Sequence, residues 1–317
     1  MRPPVLIARV LLPAGLERLD ERVELRSGGL DATRERLLEL VPGCAAIVAD
    51  PTVPVDAELL DAAGPELAVV ANFAVGHDNV DLEACRVRGV QVTNTPGVLT
   101  NATAELALAL TLAAARRLPE LERELRAGRW SGWDPAAYRG EELSGQTFAI
   151  VGMGRIGRRF AELVRGLAGR LLYVSPSVKP EIEHDLGAER VELETALAEA
   201  DVLSLHAPGG DRTRHLIGAR ELERMRSSAI LVNTARGSLV DSHALAAALQ
   251  GGAIGAAGLD VYEHEPEVPP ELRAAPNAVL LPHIGSATRR ARDAMAITVA
   301  RNVLAVLEGR EPPDRVA

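Results

Sequence analysis

The chain has 317 residues, 47% hydrophobic and 25% charged, which excludes wholesale disorder and fibrous low-complexity classes and leaves room for about two domains. A formal net charge of -9 argues against a basic face built for duplex nucleic acid. Two cysteines, Cys44 and Cys85, exclude a disulfide scaffold and fit a reducing cytoplasm.

Met1 to Pro13 has a short strand-like run and no signal-peptide layout, and no stretch approaches the roughly 18 uninterrupted apolar residues of a membrane span. No Cys/His cluster has zinc-site spacing, so no metal is expected. Along the first half, short apolar runs recur at Val5–Ala8, Ala45–Ala49, Leu67–Ala71 and Val90–Thr93, separated by loop chemistry and helical lengths. Runs of this kind predict parallel strands covered on both faces. Pro96-Gly97 ends the first unit, and Thr100 or Asn101 is placed to cap a helix running to about Arg117. That helix is apolar nearly all round, so burial between layers is expected.

The second half repeats the scheme at Phe148–Val151, Leu171–Val174, Val202–Leu205, Ile230–Val232, Leu259–Val261 and Val279–Leu281. A last helical pattern, Ala287 to Leu307, closes at Glu308-Gly309 and is expected to return to the first unit. The predicted fold class is α/β, with two Rossmann-like or flavodoxin-like parallel-sheet domains. The expected boundaries are 1–99 plus 287–317 for the first unit and 100–286 for the second.

The sharpest motif is G-x-G-x-x-G at Gly152, Gly154 and Gly157, after a strand and opening a helix that runs to about Gly169. Gly152 permits the tight turn, Gly154 lets a pyrophosphate approach the backbone, and Gly157 lets helix and strand pack closely. The helix N-terminus offers free N–H groups and the positive end of its dipole. An acidic ribose reader is expected at the end of the next strand, but the sequence there is Tyr173-Val174-Ser175-Pro176-Ser177-Val178-Lys179. Without a carboxylate to repel a 2′-phosphate, and with Ser175, Ser177, Arg155 and Lys179 nearby, NADP(H) is favoured over NAD(H).

Ligands of open parallel sheets bind beyond the carboxyl ends of the strands. Arg236, Glu265 and His283 each follow a predicted strand at such a position. Arginine can hold a carboxylate bidentately, histidine can pass a proton near neutral pH, and a carboxylate against that histidine would keep it protonated.

Together with Ala71–Asp81, Thr93–Gly97 and Thr103–Glu105, the stretches Gly152–Gly157, Asn233–Gly237, Leu259–Pro266 and Pro282–Thr288 resemble the D-isomer-specific 2-hydroxyacid dehydrogenases. Within that family the chain looks most like the glyoxylate/hydroxypyruvate reductases. The resemblance implies reduction of small 2-keto acids to 2-hydroxy acids, with Arg236 binding substrate, His283 as general acid or base, and Glu265 as its partner. It also implies that the backbone of Val75 and Gly76 holds the substrate carboxylate and that Asp260 receives the nicotinamide carboxamide. Cofactor contacts are implied for Thr103, Gly152, Gly154, Arg155, Ile156, Gly157, Ser175, Pro208, Thr234, Ala235 and Gly285.

The resemblance further implies that 1–99 plus 287–317 form a discontinuous substrate-binding domain, that it closes over an active-site cleft against a dinucleotide-binding domain at 100–286, and that a homodimer is built on the latter. Trp130 and Trp133 lie where a tryptophan of related reductases reaches a neighbouring subunit's pocket; interface or core packing is the other reading. Phosphoglycerate dehydrogenase, or another D-2-hydroxyacid dehydrogenase, is the nearest rival activity, and an NAD(H)-sensing, co-repressor-like binding protein the non-enzymatic one. Gly209-Gly210 departs from the family pattern and leaves contacts near Pro208 less defined. Asp50 is expected to cap the helix after it, the other reading being a place near the site where it would repel anionic substrate tails, and His77 is expected to be structural rather than catalytic.

Overall fold

The apolar runs fold as parallel strands in a computed structural model that describes residues 2–317. The chain divides into two units, Met1–Leu99 with Ser286–Ala317, and Thr100–Gly285. Ser286 therefore groups with the first unit, one residue ahead of the crossing expected at 287.

The first unit alternates β1 (Pro4–Ile7), α1 (Pro13–Leu19), β2 (Glu24–Ser27), α2 (Arg34–Leu40), β3 (Ala46–Ala49), α3 (Ala57–Ala63), β4 (Val69–Asn72), α4 (Leu82–Val87) and β5 (Gln91–Thr93). Its sheet is wholly parallel in the order β2-β1-β3-β4-β5, a doubly wound arrangement with its reversal between β1 and β3. β3 and β4 are buried at every residue, as strands covered on both faces must be. The sequence reading missed β2, an edge strand whose Glu-Leu-Arg-Ser carries no apolar run. The Asp50 expectation is also corrected. Its carboxylate accepts from the N–H and hydroxyl of Thr52, closing a local turn, while Asp56 caps α3 by accepting from Leu59 N–H.

The second unit opens with α5 (Thr100–Ala115) and α6 (Leu118–Arg126). It continues β6 (Thr147–Val151), α7 (Arg155–Val164), β7 (Arg170–Val174), α8 (Pro180–Leu186), β8 (Ala188–Arg190), α9 (Leu193–Glu199), β9 (Val202–Leu205), α10 (Ala219–Arg224), β10 (Ile230–Asn233), α11 (Ser242–Gly251), β11 (Ala256–Leu259), α12 (Pro270–Ala274) and β12 (Ala278–Leu280). All seven strands run parallel in the order β12-β11-β10-β9-β6-β7-β8. The order reverses between β6 and β9, so the glycine turn leaving β6 and the His206–Pro208 turn leaving β9 flank the switch point where such sheets bind nucleotides.

Several boundaries differ from the sequence reading. α5 ends at Ala115 because Arg117 takes a left-handed conformation (φ 54°) before Leu118-Pro119 restarts a helix. It is also not buried all round: Asn101, Glu105, Ala109 and Leu112 form an open stripe at helical spacing. The strand expected at Leu259–Val261 is instead Ala256–Leu259, and α7 stops at Val164, short of Gly169. The edge strand β8 was missed, like β2.

The chain then re-enters the first unit as α13 (Arg289–Leu307), two residues later than expected, with Thr288 as N-cap accepting from Ala291 N–H. α13 packs on α1 so closely that a Cβ on Gly15 would lie 2.7 Å from the Ala296 carbonyl oxygen. Among the described residues, no helix is long and apolar enough to cross a membrane.

Candidate active site

Three loops at the carboxyl ends of β10, β11 and β12 carry the charged residues singled out in the sequence. In the first, Asn233 is 1% exposed and uses both ends of its amide locally: Oδ1 accepts from Ala235 N–H (3.0 Å) and Nδ2 donates to the Arg236 carbonyl (2.8 Å). That clamp fixes the backbone from which Arg236 projects, and Arg236 Nη1 donates to the Ala235 carbonyl at 2.6 Å.

In the second loop, Tyr262 N–H donates to Glu265 Oε1 at 2.9 Å, leaving Oε2 for His283 Nδ1 at 2.6 Å. Burial pushes the Glu265 carboxyl up, but the bond to His283, the Tyr262 N–H and the charges of His283 and Arg236 outweigh it and hold Glu265 below its ordinary value. The influence of Arg236 on Glu265 places the guanidinium's field on the same pair. The Tyr262 hydroxyl donates to the Leu281 carbonyl at 2.9 Å and is pushed up to about 12, chiefly by burial.

The third loop holds His283 at φ 52°, a left-handed conformation with a real cost for a non-glycine residue. Asp260, 1% exposed, stabilises it. The Asp260 carbonyl accepts from His283 N–H (2.9 Å), and its two carboxylate oxygens accept from Ile284 N–H and Gly285 N–H, each at 2.7 Å. Burial raises the Asp260 carboxyl despite those two donors. Thr103 Oγ1 donates to the Gly285 carbonyl at 3.2 Å, tying α5 to the same loop. Because His283 Nδ1 is committed to Glu265, Nε2 is the nitrogen left for a reacting group.

At the glycine turn, Gly152 (φ 94°) could not carry a side chain: its Cβ would lie 2.5 Å from Ala207 N. Gly157 packs as tightly, 2.1 Å from the Gly152 carbonyl oxygen. Gly154, by contrast, has nothing within 4 Å of an added Cβ, and it is the N-cap of α7, so the first-turn N–H groups of Arg155, Ile156 and Gly157 open onto free space. Thr234 is 8% exposed and its hydroxyl is buried without a partner among the described residues. An open cradle at a helix N-terminus and an orphaned hydroxyl fit a dinucleotide.

Ser175 directly follows β7, 8% exposed, and its carbonyl accepts from Arg190 Nε at 2.9 Å. Arg190 lies on β8, in register with Tyr173, and sequence reasoning missed it because it missed that strand. Lys179 is tied through its backbone N–H to the Tyr173 hydroxyl, which donates on to Glu183. The Gly209-Gly210 loop is closed by Thr213, whose hydroxyl donates to the Pro208 carbonyl at 2.8 Å. His206 is half-buried with its Nε2 on Ser204 Oγ, and the loss of solvent around its ring pushes it down to about 3, so it is a neutral support for the turn.

In the first unit, Val75 and Gly76 lie in the loop after β4. The Val75 carbonyl accepts from Asn94 Nδ2 (2.7 Å) and the Gly76 carbonyl from Asn72 Nδ2 (2.8 Å). The His77 carbonyl accepts from Val80 N–H, closing the loop. Among the described residues, no group of three His, Cys, Asp or Glu side chains is arranged to hold a metal ion.

Comparison with known proteins agrees with this geometry. Residues 108–285 match the model of the D-isomer specific 2-hydroxyacid dehydrogenase, NAD binding domain. A glyoxylate reductase of Thermococcus litoralis is 46% identical, covering 100% of this chain and 97% of its own, and one of Thermococcus kodakarensis is 47% identical, covering 100% and 96%. A crystal structure of an NADPH-dependent glyoxylate/hydroxypyruvate reductase from Sinorhizobium meliloti, in complex with NADP and malonate, superposes with TM-score 0.89 at 36% identity, covering 100% of this chain and 97% of that one. One of a glyoxylate reductase from Paecilomyes thermophila gives TM-score 0.89 at 34% identity, with 99% and 98% covered. With both sheets, the glycine turn and full-length relatives in agreement, the chain belongs to the D-isomer specific 2-hydroxyacid dehydrogenase family.

Proposed function

We propose that the protein is an NAD(P)H-dependent reductase of small 2-keto acids, glyoxylate and hydroxypyruvate first. The observation that carries this reading is the 2.6 Å bond between His283 Nδ1 and Glu265 Oε2, beside the clamped Arg236 loop. When bound, the reduced nicotinamide supplies the hydride. The rest belongs to this chain. Arg236 binds the substrate carboxylate and polarises the keto group. Imidazolium His283 gives its Nε2 proton to the keto oxygen as negative charge develops there, and anionic Glu265 keeps that imidazolium available. In oxidation His283 takes the proton back. Val75 and Gly76 hold the carboxylate through backbone N–H groups.

Cofactor contacts are assigned to Thr103, the Gly152–Gly157 turn, Ser175, Pro208, Thr234, Ala235, Asp260 and Gly285. NADP(H) is the preferred form, supported by the absence of a carboxylate at Ser175 and by the Arg190 guanidinium on the Ser175 carbonyl. Met1–Leu99 with Ser286–Ala317 serves as the substrate domain, and Thr100–Gly285 as the cofactor domain.

The working form is a cytoplasmic homodimer. Support for the dimer comes from Leu112, Leu118, Leu125, Trp130 and Trp133, all exposed, Trp133 at 85%. Apolar side chains this close together in sequence and open to water mark a contact surface rather than a core. The activity is tested with a matrix of glyoxylate, hydroxypyruvate, pyruvate, phosphohydroxypyruvate and branched 2-keto acids against NADH and NADPH, read by loss of nicotinamide absorbance. Turnover fastest with glyoxylate or hydroxypyruvate is expected. Preference for phosphohydroxypyruvate, or no turnover on any acid, overturns the reading.

A further inference from the structure

Three successive peptide carbonyls in the loop after β4 are held from the body of the first unit. Ala74 O accepts from Thr95 N–H (2.9 Å), Val75 O from Asn94 Nδ2 (2.7 Å) and Gly76 O from Asn72 Nδ2 (2.8 Å). In a trans peptide the N–H points opposite to the carbonyl of the same unit. Tethering these three carbonyls therefore turns the N–H groups of Val75, Gly76 and His77 away from their anchors, and none of the three donates to another backbone group among the described residues. Successive backbone N–H groups left without a backbone acceptor are the donors from which an anion site is built.

We propose that Asn94 and Asn72 are positioning residues that set Val75, Gly76 and His77 as a three-donor cradle for the keto acid's carboxylate. The proposal deepens the functional reading above, in which Val75 and Gly76 take that carboxylate, and adds His77 N–H as a donor.

The anchors are built in. Asn72 is fully buried and pairs reciprocally with Asn79, Nδ2 to Oδ1 at 3.0 and 3.1 Å, while Asn79 Nδ2 also reaches the carbonyls of Asp50 and Val53 at 3.0 Å. Asn94 is fixed from behind. Its carbonyl accepts from Asn302 Nδ2 on α13 (3.3 Å), itself fully buried, and its N–H donates to the Asp314 carbonyl (3.2 Å). The C-terminal helix thus reaches the substrate loop through one amide. A primary amide is the side chain for this task, since it donates to a carbonyl while carrying no charge. An aspartate at 94 would set an anion against the Val75 carbonyl and next to the bound carboxylate.

The test uses the NADPH-saturated protein and begins with wild-type turnover of glyoxylate. Asn94 is the residue to change, because truncating the fully buried Asn72 endangers the fold. Asn94→Ala is expected to raise the glyoxylate KM by about 10-fold or more, with kcat within about 3-fold and the NADPH KM within about 2-fold, the signature of lost substrate binding. Asn94→Asp is expected to raise it further and Asn94→Gln to recover part of the loss. Hydrogen exchange supplies the second readout: the 2-keto-acid mimic oxamate should slow exchange in residues 73–79 of the wild type, and much less in Asn94→Ala.

Protection by oxamate in the wild type, with unchanged KM in Asn94→Ala and Asn94→Asp, overturns the asparagine assignment and leaves the loop reading standing. No protection in an active wild type overturns the loop reading and the proposal with it. Parallel increases in the KM for glyoxylate and for NADPH, with no recovery by Gln, show a merely structural role and also overturn it.

Discussion

Gly237 lies against the backbone of Tyr262 with no room for a methyl group: a Cβ there would sit 1.9 Å from the Tyr262 carbonyl carbon and 2.0 Å from its oxygen. The loop carrying Arg236 and the loop carrying Glu265 are thereby held in direct contact, backbone to backbone. Neither obstacle is a flexible side-chain end, so Gly237→Ala must part the two loops. Displacements of this size at a reacting centre cost on the order of 100-fold in kcat/KM. That loss is expected with NADPH affinity retained, and steady-state kinetics with a cofactor titration measures both. Activity within a few-fold of wild type would show that the loop contact does not set the site.

Glu265 gives a prediction about pH. Its carboxyl sits below the ordinary carboxylate value of 4.5 because His283, the Tyr262 N–H and Arg236 favour the anion more than burial disfavours it. A depressed carboxylate pKa contributes stability that is complete above the unfolded value and is lost as pH falls through the folded one. Wild-type stability should therefore decline below about pH 4.5 in part through this group, and Glu265→Gln should flatten that part of the profile in acid unfolding. Glutamine keeps a hydrogen-bond partner for His283 but not the charge that stabilises its imidazolium. A fall in kcat of about 10²–10⁴ is expected. A kcat within a few-fold of wild type would separate Glu265 from the chemistry at His283.

Arg236 and His283 are predicted to be separable by kinetics. His283→Ala removes the proposed proton donor and should lower kcat by about two to four decades while substrate still binds. Arg236→Ala removes a charged anchor for the carboxylate and should raise KM as well as lower kcat by a comparable factor. Equal KM values in the two variants would place Arg236 away from the substrate carboxylate.

The open face of the second unit predicts the oligomer. Leu112 on α5, Leu118 and Leu125 on α6, and Trp130 and Trp133 beyond it present apolar surface to solvent. Sedimentation equilibrium is expected to return twice the chain mass. Leu112→Glu combined with Trp133→Glu should shift it to the single chain, without lowering NADPH affinity if the cofactor cradle is contained in one chain. A monomeric wild type refutes the dimer directly.

What the sequence made legible was whatever local chemistry encodes. The glycine turn, the asparagine-clamped Arg236 loop and the residues after β11 and β12 are each specified within a few positions of a buried strand. The edge strands β2 and β8 were not legible, because a strand with one open side need not be continuously apolar: Glu24-Leu25-Arg26-Ser27 and Ala188-Glu189-Arg190 read as loop. Missing β8 concealed Arg190. The open stripe of α5 was legible only at its start, in Asn101 and Glu105, since the rest of the helix is alanine, leucine and threonine and Ala109 and Leu112 carry no polar mark of the side that meets solvent. Asn72 and Asn94 were on view as polar residues closing apolar runs, but only the fold brings their amides to the carbonyls of Gly76 and Val75.

Arg190 carries the last prediction, on cofactor choice. Its Nε is committed to the Ser175 carbonyl at 2.9 Å, which fixes the guanidinium at the end of β7, where the ribose of a dinucleotide on this turn is read. Glu192 is the nearby acid, 3.8 Å from Nη2 and mostly exposed, so solvent screens its competition for the guanidinium. A 2′-phosphate would gain a charge-assisted bond from Arg190 that a 2′-hydroxyl cannot match. Arg190→Ala is therefore expected to lower kcat/KM for NADPH by about 10- to 100-fold while leaving NADH within a few-fold, because only one cofactor carries the phosphate. The NADPH loss should shrink as salt screens the interaction in the wild type. Equal losses for both cofactors would make Arg190 a support for the β7 terminus alone, and a hundredfold wild-type preference for NADH would reject the NADP(H) assignment itself.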